Sequence, residues 1–268
     1  METPTTHDGT TGTDEDTADT ASGDTAVDAV SGDTAADTAG TASSERLDAE
    51  QVGREAAARS GIYSLLATLF DEPSESLHER LVAGEVDEAC RELLDASGLS
   101  VEPPDLTVED DHETLCARFN DLFTVGYSEY QDRTDGTLDS EGPPVSLYET
   151  AYRPEASWND VNLDLARAYD YFGLEVDQSA RDNHDYLPYQ LEFAGYLARR
   201  EAQGASDAAR ARLDFHDRHL HVLTGGLAGR MAEEAGTGLY GELAAFVDRF
   251  AAADQIDLGE RFEGGEEP

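Results

Sequence analysis

The residues with metal-binding or acid–base potential fall into a few local groups. Glu75-Ser-Leu-His78 and Glu109-Asp-Asp-His112 both read ExxH. On a helix this spacing puts a carboxylate and an imidazole on one face, the ligand pattern of di-iron bundles. A metal-dependent helical-bundle enzyme using these pairs is the alternative reading of the chain. Both pairs lie at helix starts, one just after Pro73 and one inside an acidic loop. His216, His219 and His221 form a third group, in which His216 and His219 share a helical face and His221 points elsewhere. No carboxylate or cysteine pattern completes a tetrahedral site around them. Cys90 and Cys116 are far apart with no CxxC, which excludes a zinc knuckle or a disulfide framework. No GxSxG is present and no Cys–His pairing is suggested, so nucleophilic catalysis has no candidate. No metal site, cofactor or catalytic residue is therefore assigned.

Two further groups bear on binding. Gly236, Gly238 and Gly241 satisfy GxGxxG, but a dinucleotide loop needs a strand before it and a βαβ unit around it. A helical pattern precedes these glycines, so they are read as ending one helix and starting the next. Tyr127, Tyr130, Tyr148, Tyr152 and Trp158 flank a polar loop from Gly126 to Pro144. Aromatic residues in such a place either wall a groove for an apolar peptide or pack as satellite core under the loop.

The elements that position these groups are helical almost throughout. Leu47, Val52, Ala56, Ile62, Leu66 and Leu69–Phe70 recur at helical spacing until Asp71–Pro73 stops them. Further helices are predicted over Leu77–Val82, Val86–Leu94, His112–Val125 and Asn159–Phe172, with a short aromatic turn or helix over Leu147–Tyr152. Asp185 is read as the N-cap of the next helix, with Pro188 in its first turn and Leu187, Leu191, Ala194 and Ala198 on its inner face. Ser206–Glu234 and Tyr240–Ala253 complete the set, and no alternating strand pattern is evident. The expected fold is all-α, a single bundle of about eight or nine helices over residues 46–255. Residues 1–45, a Thr/Asp/Ala/Gly/Ser run, are expected to be a disordered acidic tail, and residues 256–268 a flexible acidic C-terminal tail.

The charge excludes whole function classes. There are 268 residues, with 59 acidic against 18 basic and a net charge of −41. All of the basic residues are arginine. Without lysine there is no Walker P-loop NTPase, no protein kinase and no Schiff-base enzyme. So acidic a chain does not bind nucleic acid through its basic surface. The excess of carboxylates is the composition of a halophilic protein, whose surface repulsion is screened by concentrated salt. No run approaches the roughly 18 apolar residues of a membrane span, and no signal peptide is visible, so a cytoplasmic location is expected.

In order along the folded region, several segments resemble the TorD/DmsD/NarJ group of redox-enzyme maturation chaperones. Tyr63-Ser-Leu-Leu-Ala-Thr-Leu-Phe70 with Pro73 is similar to that group's opening helix. Phe119-Asn-Asp-Leu-Phe123, Gly142-Pro143-Pro144 and Tyr148-Glu149-Thr150-Ala151-Tyr152 resemble its central stretch. Asp182-Asn183-His184-Asp185-Tyr186-Leu187-Pro188-Tyr189-Gln190-Leu191-Glu192-Phe193 resembles its "PDH(I/L)xxELEF" signature, with Gln190 where the family commonly has a glutamate. Phe215, His219 and Leu220 stand where its "F…HL" segment is expected.

The resemblance implies a non-catalytic, cytoplasmic, system-specific chaperone, a monomer or dimer. Its partners would be the twin-arginine signal peptide and apoprotein of a molybdopterin oxidoreductase, held before export until the cofactor is inserted. In concentrated salt such binding rests on apolar burial and on close carboxylate–guanidinium contacts. Asp182, Asp185 and Glu192 are the candidate arginine acceptors, beside Asn183 and His184 at a helix start. Tyr148, Tyr152 and Leu187 are the candidate apolar wall, with Glu149 among the candidate peptide-binding residues.

Overall fold

The computed structural model describes residues 34–126, 128–132, 137–140, 142–176 and 183–263, with the backbone alone at 34–47 and in the two strands. Nine α-helices are present among them. They are α1 (Thr34–Leu69), α2 (Glu75–Val82), α3 (Glu85–Ala96), α4 (His112–Phe123), α5 (Trp158–Tyr171), α6 (Leu187–Ala202), α7 (Ala208–Phe215), α8 (His221–Met231) and α9 (Leu239–Glu263). A single 3-10 turn, Glu149–Tyr152, precedes α5, and a π-helical segment, His216–Leu220, joins α7 to α8. The chain divides at Ser43/Ser44 into two units, of which the first contributes only helical backbone from Thr34.

The helices start and stop where local chemistry directs. Ser74 and Asp111 cap α2 and α4 by accepting the backbone N–H of Leu77 and Thr114. The core is made by α1, α6, α8 and α9, through Ile62, Leu66 and Phe70, Leu191 and Leu197, Leu223 and Leu227, and Leu243, Phe246 and Phe250. Gly195 lets α6 approach α1 closely, since a Cβ there would lie 3.2 Å from that of Tyr63 and 3.3 Å from the carbonyl of Ser60.

The all-α architecture is as expected, with four differences in detail. The Gly126–Pro144 segment contains an antiparallel hairpin, Ser128–Asp132 with Thr137–Ser140, where a loop was expected. Backbone pairing closes this hairpin although its residues are mostly polar. Helix α9 continues to Glu263, past the boundary read at residue 255, because Leu258 is buried and Asp257 reaches Arg59 at 2.5 Å. Helix α1 begins at Thr34, inside the segment read as tail; residues 1–33 of that segment, and 264–268 at the other end, lie outside the described residues. Ser206–Glu234 is interrupted by the π segment rather than being one α-helix. Among the described residues, no helix is long and apolar enough to cross a membrane.

Candidate functional site

The segment from Asn183 to Phe193 is folded against the 3-10 turn by backbone and side-chain bonds that the sequence pattern did not reveal. Tyr148 and Tyr186 form an isolated antiparallel bridge, flanked by Glu149 N–H donating to Asp185 C=O at 3.0 Å and Leu187 N–H donating to Leu147 C=O at 2.8 Å. The Asp185 side chain is fully buried and accepts both the backbone N–H (3.1 Å) and the hydroxyl (2.7 Å) of Thr150. Asp185 is therefore not the N-cap of α6 but holds the first turn of the 3-10 segment. Tyr186 is the residue preceding α6, and it makes no side-chain cap. An arginine-reading role for Asp185 is corrected on the same ground, because its carboxylate is fully buried, with Oδ2 taken by Thr150.

Glu149 is likewise buried rather than accessible to a peptide. Its carboxylate accepts from Arg153 Nε (2.5 Å), Gln190 Nε2 (2.8 Å) and His219 Nδ1 (3.1 Å). The other ring nitrogen of His219 lies 3.0 Å from Asp164 Oδ2, and Asp164 also pairs with Arg218. A glutamate at position 190 would face Glu149 carboxylate to carboxylate, whereas the Gln190 amide donates. Leu187 is fully buried beneath this network.

Above it the surface is aromatic. The rings of Tyr148 and Tyr186 lie 5.2 Å apart and those of Tyr186 and Tyr189 5.4 Å apart, a row leading into a cleft of about 300 Å³. Tyr169, Leu174, Val176, Tyr189, Phe193 and Tyr196 line that cleft, together with the carboxylates of Glu175 and Glu192. His184 is stacked on Tyr169 with ring centroids 6.1 Å apart, and the Tyr169 hydroxyl donates to the His184 carbonyl at 3.0 Å. Burial, and then the like charge of Asp71, raise the Glu192 carboxyl above its ordinary range. A cation seated beside Glu192 would relieve that cost.

Of the residues singled out from the sequence, Tyr148, His184 and Glu192 come together along this row and cleft. Asn183 is half-buried in the turn before α6, where its carbonyl accepts the N–H of Tyr186. Asp182 lies outside the described residues, as do the side chains of Tyr127 and Tyr130. Tyr152 is on the other side of the 3-10 turn, packed where a Cβ on Gly226 of α8 would lie 2.4 Å from its ring, with its hydroxyl donating to Ser146 C=O. Burial pushes that phenol up to about 12. Tyr186 and Tyr189 were missed, although two aromatic residues bracketing Pro188 were a usable signal.

The other constellations resolve into structural contacts. His78 and His112 sit 5.7 Å apart, but His78 donates to the carbonyl of Asp110 and His112 to that of Pro73, each at 2.8 Å. The two ExxH pairs thus tie the starts of α2 and α4 together. Among the described residues, no group of three or more His, Cys, Asp or Glu is placed to hold a metal ion. Gly236 and Gly238 have φ of 71° and 55° in the connection between α8 and α9, as helix-ending glycines do.

Comparisons with known proteins place the chain in a family. The family described as nitrate reductase delta subunit matches residues 79–225. The chain is 28% identical over 156 residues to the selenate reductase assembly chaperone protein of Thauera selenatis, covering 56% of this chain and 73% of that one. It is 32% identical over 114 residues to the chlorate reductase assembly chaperone protein of Ideonella dechloratans, covering 40% and 52%. It is 27% identical over 117 residues to the perchlorate reductase assembly chaperone protein of Dechloromonas aromatica, covering 41% and 52%. The chain spans about half the length of the last two. The matched segment contains the 3-10 turn, α5, α6, α7 and the π segment, together with α3 and α4. The chain belongs to the nitrate reductase delta subunit family, within the redox-enzyme maturation group that its sequence resembles.

Proposed function

We propose that the protein is a non-catalytic, cytoplasmic assembly chaperone for a molybdopterin oxidoreductase, and that it holds the twin-arginine signal peptide of that partner in the Tyr148–Tyr186–Tyr189 row and the adjoining cleft. The observation that carries this reading is the pairing of an aromatic floor with carboxylates at its edge. An apolar segment buries its surface on the tyrosines at about 25 cal/mol per Å². An adjacent arginine reaches Glu192, an exposed residue at the cleft edge whose carboxyl is raised by partial desolvation and then by Asp71. The buried bonds of Asp185 and Glu149 keep the floor rigid, so little ordering cost falls on binding. The relatives named as assembly chaperones of selenate, chlorate and perchlorate reductases support a reductase as the partner.

The test is a fluorescence titration with a synthetic peptide carrying two adjacent arginines followed by an apolar stretch. Tyr189→Ala and Glu192→Gln should each weaken binding while leaving the melting temperature nearly unchanged. Wild-type affinity retained in both variants would place the peptide elsewhere.

A further inference from the structure

We propose that the groove has a polarity: the arginine-bearing peptide runs antiparallel to α6, and Arg200 receives an acidic side chain on the N-terminal side of its arginines. This rests on the docking role above and adds to it a direction and a sequence feature of the partner.

Charge and aromatic surface change in order along one face of α6. Tyr189, Glu192, Tyr196 and Arg200 recur at three- and four-residue steps, which places them on a single stripe. The rings of Tyr186 and Tyr148 extend that stripe beyond the helix start. The order is therefore an aromatic row at the N-terminal end, then Glu192, with Glu175 lining the same cleft, then a guanidinium in the last turn.

The C-terminal end of the stripe suits neither an incoming arginine nor an apolar stretch. The Arg200 guanidinium lies over the rings of Phe172 and Tyr196, 5.5 and 6.0 Å from their centroids. It donates to the Tyr196 hydroxyl at 3.4 Å, and that hydroxyl donates to the Phe172 carbonyl at 3.3 Å. A second arginine meets aromatic faces that a cation already uses. An apolar stretch laid there takes a guanidinium out of water without replacing its bonds, a cost that a row of neutral rings avoids. The apolar stretch thus belongs on the tyrosine row and the arginines at Glu192. Because the arginines come first in the peptide, its chain runs from Glu192 toward Tyr148, against the direction of α6.

The residues before the arginines then pass toward Arg200. The acidic partner that Arg200 has within the chain is loose, since its guanidinium lies 3.9 Å from Asp207 and both side chains reach solvent. Glu192 and Arg200 are just over two helical turns apart, about 12 Å, which an extended peptide covers in about three or four residues. An acidic side chain at that spacing meets Arg200 in direct contact, where screening by concentrated salt matters least.

Paramagnetic broadening of the full chain reads the direction, with a nitroxide on one end or the other of the synthetic peptide that carries two adjacent arginines followed by an apolar stretch. A label on the N-terminus should broaden the amides of residues 199–202, and a label on the C-terminus those of residues 149–152 and 186–189. The two patterns exchanged, or one pattern from both labels, would overturn the direction and leave the docking site in place. Broadening confined to residues outside α6 and the 3-10 turn would overturn the docking reading, and the polarity with it. The part given to Arg200 is read from two peptides that carry glutamate or glutamine four residues before the first arginine. The titrations are made in about 1 M salt, where a Debye length of about 3 Å removes the contribution of the net charge of −41. Wild type should prefer the glutamate peptide about two- to fivefold, the range of an exposed ion pair. Arg200→Gln should show no preference, and Arg200→Glu should favour glutamine. Each comparison is a ratio on one protein, so a change in folding common to both peptides cancels. No preference in wild type, or a preference retained in Arg200→Gln, would overturn the role of Arg200.

Discussion

Two buried polar clusters share the π segment, and they are built for different ends. His216, at its start, faces inward to α1 and α9, where Tyr63 OH lies 3.0 Å from its Nε2 and donates to Asp254 Oδ2 at 2.7 Å. Asp254 also takes Arg59 at 3.1 Å and Arg212 at 3.3 Å, and Arg212 pairs with Glu201 at 2.9 Å. Tyr63, Asp254, Arg212 and His216 are all essentially inaccessible. His219, three residues on, faces the cluster of Glu149 and Asp164, which opens at the rim through the exposed Arg218. The wider i→i+5 turn of a π segment is a common device at functional positions. The first cluster fastens the first, sixth, seventh and last helices together. The second fastens a short turn and one helix beneath an aromatic surface. A polar network sealed on all sides fixes the fold, and one with an open edge shapes a surface.

The largest expected difference between them lies in the sealed cluster. Asp254→Ala leaves Arg59 and Arg212 buried without their shared carboxylate, and should cost about 3–5 kcal/mol, read by chemical denaturation. Its pH signature is equally one-sided. Burial pushes the Asp254 carboxyl up, but Arg212, the bond to His216 and Arg59 outweigh it and hold it well below the usual range. Its stabilisation is therefore present above the unfolded carboxyl value of about 3.9 and is lost as pH falls through the lower folded value. Asp254→Asn should flatten the acid limb of the stability curve; an unchanged limb would mean that the cluster is not what fails in acid.

A smaller loss of stability with a larger loss of binding should mark the open cluster. Asp185→Ala strands the N–H and hydroxyl of Thr150, a cost of about 1–3 kcal/mol, and loosens the turn that carries Tyr148. Peptide affinity should fall with it, measured by titration. Asp254→Ala, in protein still folded, should leave affinity intact. Equal effects of the two substitutions on binding would erase the distinction.

Glu192→Gln should be milder, weakening the arginine-bearing peptide by about 1 kcal/mol because the carboxylate is solvated on one side. Last comes salt. Diluting from about 1 M to about 0.1 M lengthens the Debye screening distance from about 3 to about 10 Å. With a net charge of −41 the melting temperature should drop. Asp254→Ala and Asp185→Ala should show the same salt slope as wild type, because both carboxylates are buried. A melting temperature that rises on dilution would contradict the halophile expectation.

The helices were legible because apolar residues at helical spacing record which face is buried. Leu191, Ala194 and Ala198 face inward as their spacing required. The hairpin was not legible, since Ser128–Asp132 and Thr137–Ser140 alternate no apolar face and are held by backbone pairing. The end of α9 was hidden for a related reason. An acidic stretch reads as solvent-facing, and only the fold shows that Asp254 and Asp257 meet Arg59 from a helix 195 or more residues away. The site was half legible. The Asn183–Glu192 stretch and Tyr148 lie side by side in the fold, but Asp185 and Glu149 were read as accessible, because in a chain with 59 acidic residues sequence does not mark which are buried. Nor does any pattern announce the π turn, in which His216 meets Asp254 and His219 meets Glu149 and Asp164.

Hydrogen exchange of the full chain, with and without the arginine-bearing peptide, addresses the central claim most directly. The account predicts new protection confined to the 3-10 turn Glu149–Tyr152 and to the cleft-forming first half of α6, with the amides around Tyr63, His216 and Asp254 unchanged. Protection appearing instead on the α8–α9 face, or absent from α6, would contradict it.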